Sequence, residues 1–579
     1  MGISTYQKIV RAKMDPVMMK ILDSSLVSIC REMGITLMQT SYSTIFNEAL
    51  DFSCALADKN GDMIACAEFC PAQIGGMPLL AKSMVKEIPI DTINEGDVIL
   101  HNDPYRGGLH TPEHTFFKPF FIDGELMGFA VSIGHIAEVG GMVPGGFCGE
   151  ATEIFHEGLR VPPIKIIEKG VHNKDIWRLL LANVRTPRYN FGDLSALISA
   201  VDLGVSKMEA IYKKYGSETI NQTCSDLMDY SERRMRAEIS EIPDGVYTFT
   251  DTIEDDGIED KMFYISVEVH KNGTDIIADF SESSKQAKGP INATLGVTIS
   301  ATYNAMLHLT DPSIPKNSGC FRPIRIVAPP TSVVNVDFPA PEVGGNTEAH
   351  PKIAGVVIGA LAEAVPHLAM AAEGATHGNF VFGGVHADTK EYFACYDIEA
   401  VGWGGRSFAD GNDACDAING NCRVTPVEVF EVRFPWRIEE WEFCIDSCGP
   451  GKYRGGSGYS KTMVCLNDEI MISQMTDRHK TDSWGLNGGG YGRRGATLFK
   501  KKDDKKWSNA TDLYGKPSPS KFSNISIKKG DRVRLILPAG GGYGDPKLRD
   551  ADHVKDDIAE GFISREFAQK HFGFQEDSQ

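Results

Sequence analysis

The sequence predicts an α+β fold: a large, multi-domain mixed α/β chain with glycine-rich antiparallel sheets and a helical segment near residues 173–240. Asn-Gly and Asp-Gly pairs between apolar segments indicate β-hairpins. Apolar residues at three- and four-residue spacing indicate amphipathic helices. Glycine accounts for 59 of the 579 residues and often occurs in Gly-Gly pairs, which is typical of tight turns and close backbone packing.

The N-terminal third begins with a helix and continues as hairpins. Asp15-Pro16 combines a capping residue with a proline suited to the first helical position, and an apolar stripe follows it. A first hairpin is predicted around Asn60-Gly61. A strand then runs into the segment HNDPYRGGLHTPEH at residues 101–114, and a second hairpin turns at Asp123-Gly124.

In the remaining two thirds of the chain, segments with helical patterns alternate with segments with strand patterns. Helices are predicted over 173–240, strands over 241–285 with a turn at Asn272-Gly273, and an Ala/Gly-rich helix over 352–371. A glycine-rich, strand-like region precedes a charged helical tail that starts at Ala551. The lysine-rich stretch 500–521 is predicted to be a solvent-exposed loop. These changes in predicted secondary structure divide the chain into five units: 1–172, 173–240, 241–375, 376–546 and 547–579.

Charge and composition limit the possible partners and compartments. The net charge of −19 argues against binding nucleic acid or an anionic membrane, because both require a basic surface. No apolar run is long enough to span a bilayer, and residues 1–30 lack the pattern of a signal peptide. The thirteen cysteines are therefore expected to be reduced thiols in a cytoplasmic protein. Two C-x3-C pairs, at 66/70 and 444/448, have zinc-ligand spacing, but isolated buried cysteines explain them more commonly.

Nucleotide-binding motifs are absent or incomplete in this sequence. Gly490, Gly492 and Gly495 match G-x-G-x-x-G, but the residues after them are not helical, and the motif needs a helix N-terminus. Gly451-Lys452 lacks the Ser or Thr of a P-loop, and no G-x-S-x-G element occurs. We therefore expect no ATP site on this chain itself.

Residues 101–114 hold the strongest candidate for a metal site. His110-x-x-Glu113-His114 matches a zinc-protease pattern formally, but that pattern requires a helix and Pro112 prevents one. The hairpin that follows returns the chain to His135, so His110, Glu113 and His135 are predicted to lie together. Two imidazoles and a carboxylate suit Zn, Mn or Fe. The alternative is that these are hydrogen-bonded loop residues.

A second group of polar residues lies in TEIFHEGLR and at the end of FNEALD. Glu153, His156, Glu157 and Asp51 are candidates for proton transfer or ligation. Their alternative role is structural, in helix capping or in ion pairs with Arg160.

Motifs in collinear order identify the sequence as similar to the hydantoinase B/oxoprolinase family. The resemblance covers nearly the whole chain and rests on DPVMMKILDSSLVSICREMG, GDVILHNDPYRGGLHTPEH, GHIAEVGG, ATEIFHEGLRVPPIKI, GGNTEAH, TPVEVFEVRFPWRIEEWE, SCGPGKYRGGSG and LPAGGGYGDP. It implies a partner subunit, resembling hydantoinase A, that binds ATP and Mg and phosphorylates a carbonyl oxygen of the substrate. The present chain would then carry out the second half-reaction.

The resemblance also implies roles for individual residues. The metal-ligand spacing of the family falls on His110, Glu113 and His135, with Zn or Mn as the ion. Relatives typically have aspartate where this chain has Glu113 and Glu138, and glutamate is one methylene longer, so His114 is considered as a substitute ligand. Further roles are assigned as follows: Asp103 and Glu138 orient the imidazoles, His156 or Glu157 transfers a proton, and Gly344, Gly345 and Asn346 donate hydrogen bonds to the substrate.

Three functional hypotheses follow from the resemblance. The first is a subunit of an ATP-dependent carboxylase that uses bicarbonate and in which a ketone-derived enolate attacks CO2 or carboxyphosphate, resembling acetophenone carboxylase subunits. The second is an ATP-dependent hydrolase subunit that opens a hydantoin, lactam or 5-oxoproline ring. The third is a non-catalytic scaffold for a sister subunit. The sequence does not identify the substrate.

Overall fold

The computed structural model describes residues 15–575, and it confirms a mixed α+β fold with several antiparallel sheets. Residues 1–14 and 576–579 lie outside the described residues. The prediction about a signal peptide in residues 1–30 falls partly there, as do the start of the predicted unit 1–172 and the end of the predicted unit 547–579. Of the helices in residues 15–575, none combines the length and apolarity that crossing a bilayer requires. The five predicted unit boundaries remain predictions.

A seven-stranded antiparallel sheet forms the N-terminal part in the spatial order β2-β1-β5-β4-β3-β6-β7. Both predicted hairpins belong to it and are confirmed. Its strands are β1 Phe52–Asp58, β2 Met63–Cys66, β3 Val98–His101, β4 Glu113–Ile122, β5 Glu125–His135, β6 Ile164–Glu168 and β7 Val171–His172.

Helices accompany this sheet. The first begins after Asp15, whose carboxylate accepts a hydrogen bond from the Val17 amide, as the capping pattern predicted. The long first and fifth helices pack together on one face, where an apolar cluster includes Leu26, Phe116 and Leu197. The helices are α1 Pro16–Thr40, α2 Thr44–Asn47, α3 Pro71–Glu87, α4 Lys174–Ala182, α5 Pro187–Tyr215 and α6 Ser217–Glu241.

The middle of the chain adds a four-stranded sheet in the order β11-β10-β9-β8, with one parallel pair between its last two strands in sequence. Helix α3 packs against helix α7 (Leu295–His308), and α7 packs against helix α9 (Ala349–Leu361). These three helices form a layer between the two sheets. The elements are β8 Gly245–Ile253, β9 Phe263–Asn272, β10 Asp275–Asp279, α7 Leu295–His308, α8 Ser318–Phe321, β11 Ile324–Val327 and α9 Ala349–Leu361.

Two further four-stranded antiparallel sheets enclose a third core, in the orders β13-β12-β16-β18 and β14-β15-β19-β17. The charged tail forms two helices, as predicted. These elements are β12 Asn379–Val385, β13 Tyr392–Asp397, α10 Val427–Arg433, β14 Trp436–Phe443, β15 Tyr459–Cys465, β16 Glu469–Met475, β17 Ala496–Lys500, α11 Ala510–Tyr514, β18 Lys521–Lys528, β19 Arg532–Ile536, α12 Ala551–Ala559 and α13 Arg565–Phe572.

The glycines of the C-terminal motif are required by close backbone packing. A Cβ on Gly540 would lie 1.9 Å from the carbonyl oxygen of Trp403, and one on Gly541 would lie 2.1 Å from that of Trp484. Any side chain would therefore separate these segments. Gly495 leads into strand β17 rather than a helix, which agrees with the rejection of a dinucleotide motif.

Two sequence predictions need correction. The helix predicted for 352–371 is α9, which starts earlier and ends at Leu361, because the chain turns there ahead of Pro366. The prediction that the stretch 500–521 is a solvent-exposed loop is wrong in its second half: residues 510–514 form helix α11, and Ala510, Ser518, Ser520 and Lys521 are buried. Lys521 begins strand β18 and is completely buried, because two carboxylates face its ammonium group.

Candidate functional site

The β4–β5 hairpin brings His110, Glu113 and His135 into one pocket. Its turn has positive φ at both Asp123 and Gly124, the conformation that two-residue hairpins favour. The resulting register places Glu113 directly opposite His135. Because Pro112 lies in a turn before β4, His110 lies beside the hairpin and its ring centroid is 5.1 Å from that of His135.

A hydrogen bond from outside the hairpin fixes the orientation and tautomer of His110. Its Nδ1 lies 3.1 Å from the carbonyl oxygen of Val343, which can only accept, so Nδ1 carries the proton. Its Nε2 lies 3.6 Å from Oε1 of Glu113 and 3.4 Å from the amide nitrogen of Asn346. Two of the predicted metal ligands, His110 and Glu113, therefore lie beside Asn346, which was predicted separately as a substrate-binding residue.

Asp51 and Gln73 complete the pocket. Nε2 of Gln73, on helix α3, lies 2.9 Å from Oδ1 of Asp51 and 3.2 Å from Oε1 of Glu113, so it bridges the two carboxyl groups. Oδ2 of Asp51 lies 3.9 Å from Nδ1 of His135. Burial, together with the neighbouring Glu113 carboxylate, raises the pKa of Asp51 to about 8.

The pocket is sealed, and several of its polar atoms have no partner among the described residues. The side chains of Asp51, Gln73, His110, Glu113, His135 and Asn346 are each buried. Within residues 15–575, no hydrogen-bond partner lies beside Oε2 of Glu113, Nε2 of His135 or Oδ1 of Asn346. A buried polar atom without a partner costs about 1–3 kcal/mol, so three in one pocket call for a functional explanation. Burial also lowers the pKa of His135 well below its usual value, which keeps that imidazole neutral.

These donors match a divalent metal in chemistry, since neutral imidazole and carboxylate are ligands of Zn and Mn. In their present positions they do not form a finished site: in the part of the chain that the structure describes, no three His, Cys, Asp or Glu side chains are grouped so that they could hold a metal ion. That finding includes the two C-x3-C pairs, whose cysteines are free thiols.

His114 lies away from this group. As the strand neighbour of Glu113 it points to the opposite face of the sheet, where its Nδ1 bonds the carbonyl oxygen of Pro112 at 3.1 Å. Burial lowers its pKa to about 4. The structure therefore gives no support to His114 as a substitute ligand.

The two residues predicted to orient the imidazoles contact other groups. Asp103 caps a short turn and lies 3.0 Å from Nε of Arg106 and 3.6 Å from Nε of Arg160. Glu138 accepts hydrogen bonds from the Gly140 and Gly145 amides and from Arg185. Both carboxylates therefore stabilise loops around the pocket, and in this structure neither one bonds His110 or His135.

Glu157 is buried behind the pocket, whereas Glu153 and His156 lie towards the surface. The Glu157 carboxylate accepts the backbone amides of Glu342 and Val343 at 2.9–3.0 Å, and burial raises its pKa to about 8. Because the Val343 carbonyl holds His110, Glu157 acts on the pocket through that segment. Nδ1 of His156 accepts the Thr152 amide within its own loop.

The Gly344-Gly345 pair allows close packing. Its two amides bond the carbonyl oxygens of Pro290 and Glu342, so neither is free for a substrate in this structure. A Cβ on Gly345 would lie 2.0 Å from the carbonyl oxygen of Asn292.

Sequence reasoning missed a buried charged pair behind Asn346. Nδ1 of His377 lies 3.0 Å from Asp416, and its Nε2 lies 2.9 Å from Oδ1 of Asn419, whose amide in turn donates to the carbonyl oxygen of Asn346. Although burial alone would lower it, the Asp416 carboxylate raises the pKa of His377 to about 9. Tyr396 was also missed: its ring stacks on His135 at 4.2 Å. These residues lie far along the chain from the hairpin, and no local motif marks them.

Comparison with known proteins gives a consistent result. A sequence profile described as hydantoinase B/oxoprolinase matches residues 15–546. A putative D-/L-hydantoinase subunit from Pseudomonas sp. strain NS671 is 35% identical over 577 residues, covering 97% of this chain and 95% of that protein.

Two solved structures share the fold. The ATP-dependent caprolactamase from Pseudomonas jessenii superposes with a TM-score of 0.88 at 28% identity, covering 98% of this chain and 97% of that one. The nucleotide-free acetone carboxylase superposes with a TM-score of 0.87 at 19% identity, covering 96% and 79%. Because the profile and the hydantoinase subunit match almost end to end, this chain belongs to the hydantoinase B/oxoprolinase family, as its collinear motifs predicted.

Proposed function

We propose that this chain is one subunit of an ATP-dependent, multisubunit enzyme and that it acts on a carbonyl compound phosphorylated by a hydantoinase A-like partner. Hydrolytic opening of a cyclic amide is the better supported reaction, because a hydantoinase subunit and a caprolactamase are similar to this chain over nearly its full length. Carboxylation of a ketone-derived enolate, the first hypothesis from the sequence, becomes the second candidate.

The sealed pocket with its unpaired polar atoms carries this proposal. Fully paired polar groups stabilise a fold, whereas His135 Nε2, Glu113 Oε2 and Asn346 Oδ1 offer an imidazole, a carboxylate and an amide oxygen to something that is bound during turnover. His110, Glu113 and His135 offer the donor types that a Zn or Mn ion requires, and they would hold such an ion only if their side chains moved closer together than they are in this structure. Such an ion supplies Lewis acidity and lowers the pKa of a bound water.

The protein residues supply orientation and a proton. The amide of Asn346, fixed from behind by Asn419, positions Glu113 and His110. Asp51 holds a proton near neutral pH, because its pKa is raised to about 8, and this proton is available to a leaving ring nitrogen. Burial of the whole group excludes bulk water, so that only a water molecule bound in the pocket can attack the activated carbon.

One observation also favours carboxylation. An enolate must be protected from protonation by solvent, and a sealed pocket provides that protection. The fold shared with acetone carboxylase is compatible with this second candidate.

The two reactions are separated by co-expressing the chain with its hydantoinase A-like partner and supplying ATP, labelled bicarbonate, cyclic amides and ketones. We expect bicarbonate-independent ring opening. Label fixed into acid-stable product would establish the carboxylase and reject the hydrolase. His110→Ala should lower turnover by at least about 100-fold; unchanged turnover would leave only the scaffold hypothesis.

A further inference from the structure

Three segments that contribute to the pocket also meet at the surface of the molecule. The segment between β3 and β4 carries His110, the segment between β5 and β6 carries Glu157, and the segment between β11 and α9 carries Val343. At their outer ends, these segments carry large apolar side chains around one arginine. We call these residues the aromatic patch: Tyr105, Met142, Phe155, Arg160 and Phe338.

The side chains of the aromatic patch contact one another. The centroid of the Phe338 ring lies 5.5 Å from that of Tyr105 and 5.9 Å from that of Phe155, and both contacts are edge-to-face. The Arg160 guanidinium carbon lies 4.7 Å from the centroid of the Phe338 ring. Met142 joins the patch because its amide donates a hydrogen bond to the carbonyl oxygen of the residue after Phe155. The three segments thus form one continuous surface.

The apolar part of the aromatic patch is open to solvent. Phe155 is 61% exposed, Phe338 is 52% exposed and Met142 is 42% exposed. Single exposed apolar residues are ordinary on a protein surface, whereas grouped aromatic residues with an arginine are typical of protein–protein interfaces. The composition of the patch therefore favours a protein as its ligand.

Arg160 can still bind a carboxylate from outside the chain. Among the described residues, the one carboxylate within ion-pair distance of Arg160 is that of Asp103, at 3.6 Å, and Arg106 holds this carboxylate more closely, at 3.0 Å. A guanidinium that is stacked on an aromatic ring can still donate its N–H groups to a carboxylate. The patch therefore fits an apolar protein surface that carries an acidic residue.

The aromatic patch is connected to His110 through two short stretches of chain. Phe155 lies two residues before Glu157, whose carboxylate accepts the Val343 amide at 3.0 Å. Phe338 lies five residues before Val343 in the same segment, and the Val343 carbonyl oxygen lies 3.1 Å from Nδ1 of His110. A contact that fixes Phe155 and Phe338 therefore also fixes the segment that orients His110.

A sealed pocket must open to admit a substrate. Its walls include strands β4 and β5 and helix α3, whose backbone hydrogen bonds would have to break. The three segments of the aromatic patch are largely irregular, and irregular segments open at a lower free-energy cost than packed strands and helices. Opening on the side of the aromatic patch therefore costs less than opening the sheet or α3.

We propose that the aromatic patch is the docking surface for the hydantoinase A-like partner subunit, and that docking there fixes the orientation of His110. This inference rests on the proposed function, in which the partner phosphorylates the substrate that the pocket receives. The partner must release its product next to the segments that open, and the aromatic patch lies on those segments. A second copy of this chain is the alternative occupant.

Biolayer interferometry between this chain and its hydantoinase A-like partner, without ATP or substrate, tests the docking surface. We expect Phe338→Asp to weaken the complex at least about 30-fold, because it places a charge at the centre of the patch. Phe155→Asp, at the more exposed position, is the second variant in case Phe338→Asp does not fold. The matched control is Phe408→Asp, which should change the affinity less than about twofold. Phe408 is 66% exposed and has the Arg406 guanidinium 5.5 Å from its ring centroid, but it lies between β13 and α10.

Hydrogen exchange measured by mass spectrometry tests the effect of docking on the pocket. We expect the amides of residues 337–345 to exchange at least about tenfold more slowly in the complex than in the chain alone, because docking fixes this segment. Exchange in residues 403–412, around the control position, should be unchanged.

Four results would overturn the proposal. They are no binding of the partner to the wild-type chain, weaker binding with Phe408→Asp but not with Phe338→Asp, unchanged exchange in residues 337–345 in the complex, and a homodimer of this chain that Phe338→Asp dissociates. None of these measurements requires turnover. If the complex forms through the aromatic patch but opens no cyclic amide and carboxylates no ketone, the proposed function is rejected and the docking surface is retained.

Discussion

Two buried clusters of polar side chains in this molecule differ in the charges that face each other. The pocket of Asp51, His110, Glu113 and His135 contains polar atoms without a partner among the described residues, and a carboxyl group with a raised pKa. In the second group, which we call the lysine cluster, Asp477 lies 2.7 Å from Lys352 and 2.8 Å from Lys521. The contact with Lys521 is a hydrogen bond, whereas the contact with Lys352 is an ion pair without hydrogen-bond geometry, so what distinguishes this cluster is that opposite charges face each other.

The difference distinguishes a site from a structural connection. In the lysine cluster opposite charges face each other, and although burial opposes ionisation, the two lysines lower the pKa of Asp477 far below its usual range. The cluster joins α9 to strand β18 and to the segment that follows β16, so it links the central helical layer to one of the C-terminal sheets. In the pocket, by contrast, the protein retains poorly paired groups, which is destabilising and therefore indicates function.

Removing the central carboxylate of the lysine cluster should have the largest effect. Asp477→Leu leaves the buried ammonium group of Lys352 without its counter-ion and leaves that of Lys521 with only the more distant carboxylate of Asp255, at 3.9 Å, so we expect the free energy of unfolding to fall by about 3–5 kcal/mol. Denaturant titration measures it. The matched control is Glu469→Leu, which breaks a half-exposed pair with Lys528 and should cost less than about 1 kcal/mol. Equal losses in the two variants would remove the distinction between the regions.

Replacing a carboxyl in the pocket should have a smaller effect of opposite sign. The pKa of Asp51 is raised in the folded state, so the folded protein holds a proton that the unfolded chain has released. The resulting stability is fully present below the unfolded pKa near 4 and is lost as the pH rises towards 8. Asp51→Asn carries no ionisable group, so at pH 7.5 it should be more stable than the wild type by about 2 kcal/mol.

Denaturant titrations at pH 4.5 and pH 7.5 measure this change. We expect the stability gain to disappear at pH 4.5, where the carboxyl is largely protonated in the folded state and close to its unfolded pKa. Turnover should fall in the same variant, which is the expected trade between stability and function. Asp175→Asn, at an exposed position on α4, is the control. If Asp51→Asn is less stable than the wild type at pH 7.5, the prediction is wrong and the Asp51 carboxyl group stabilises the fold.

The same contrast explains how far sequence reasoning reaches. The hairpin turn at Asp123-Gly124 and the alternation of strand residues are local, so they are enough to predict His110, Glu113 and His135 in one place. Gln73 lies in α3, a helix that the sequence pattern hides because PAQIGGMPLL contains a Gly-Gly pair and an internal proline. His377, Tyr396 and Asn419 join the pocket only through tertiary packing of a different sheet and its loops. The burial of Lys521 escapes prediction for the related reason that its counter-ion, Asp477, lies 44 residues away.

The smallest effect is expected at the boundary between the two regions. The hydroxyl of Tyr396 donates to Oδ1 of Asn379 at 2.8 Å, Asn379 donates to Glu348, and the Tyr396 ring stacks on His135. Tyr396→Phe removes one buried hydrogen bond and keeps the ring, so the free energy of unfolding should fall by about 1 kcal/mol. Tyr396→Ala, which also removes the stacking and leaves a cavity, should cost about 3 kcal/mol or more. Denaturant titration compares the two variants. An equal loss in free energy of unfolding for Tyr396→Phe and Asp477→Leu would contradict this prediction. It would mean that the Tyr396 hydroxyl contributes as much to stability as the lysine cluster, so that the pocket and the lysine cluster would no longer differ in their contribution to stability.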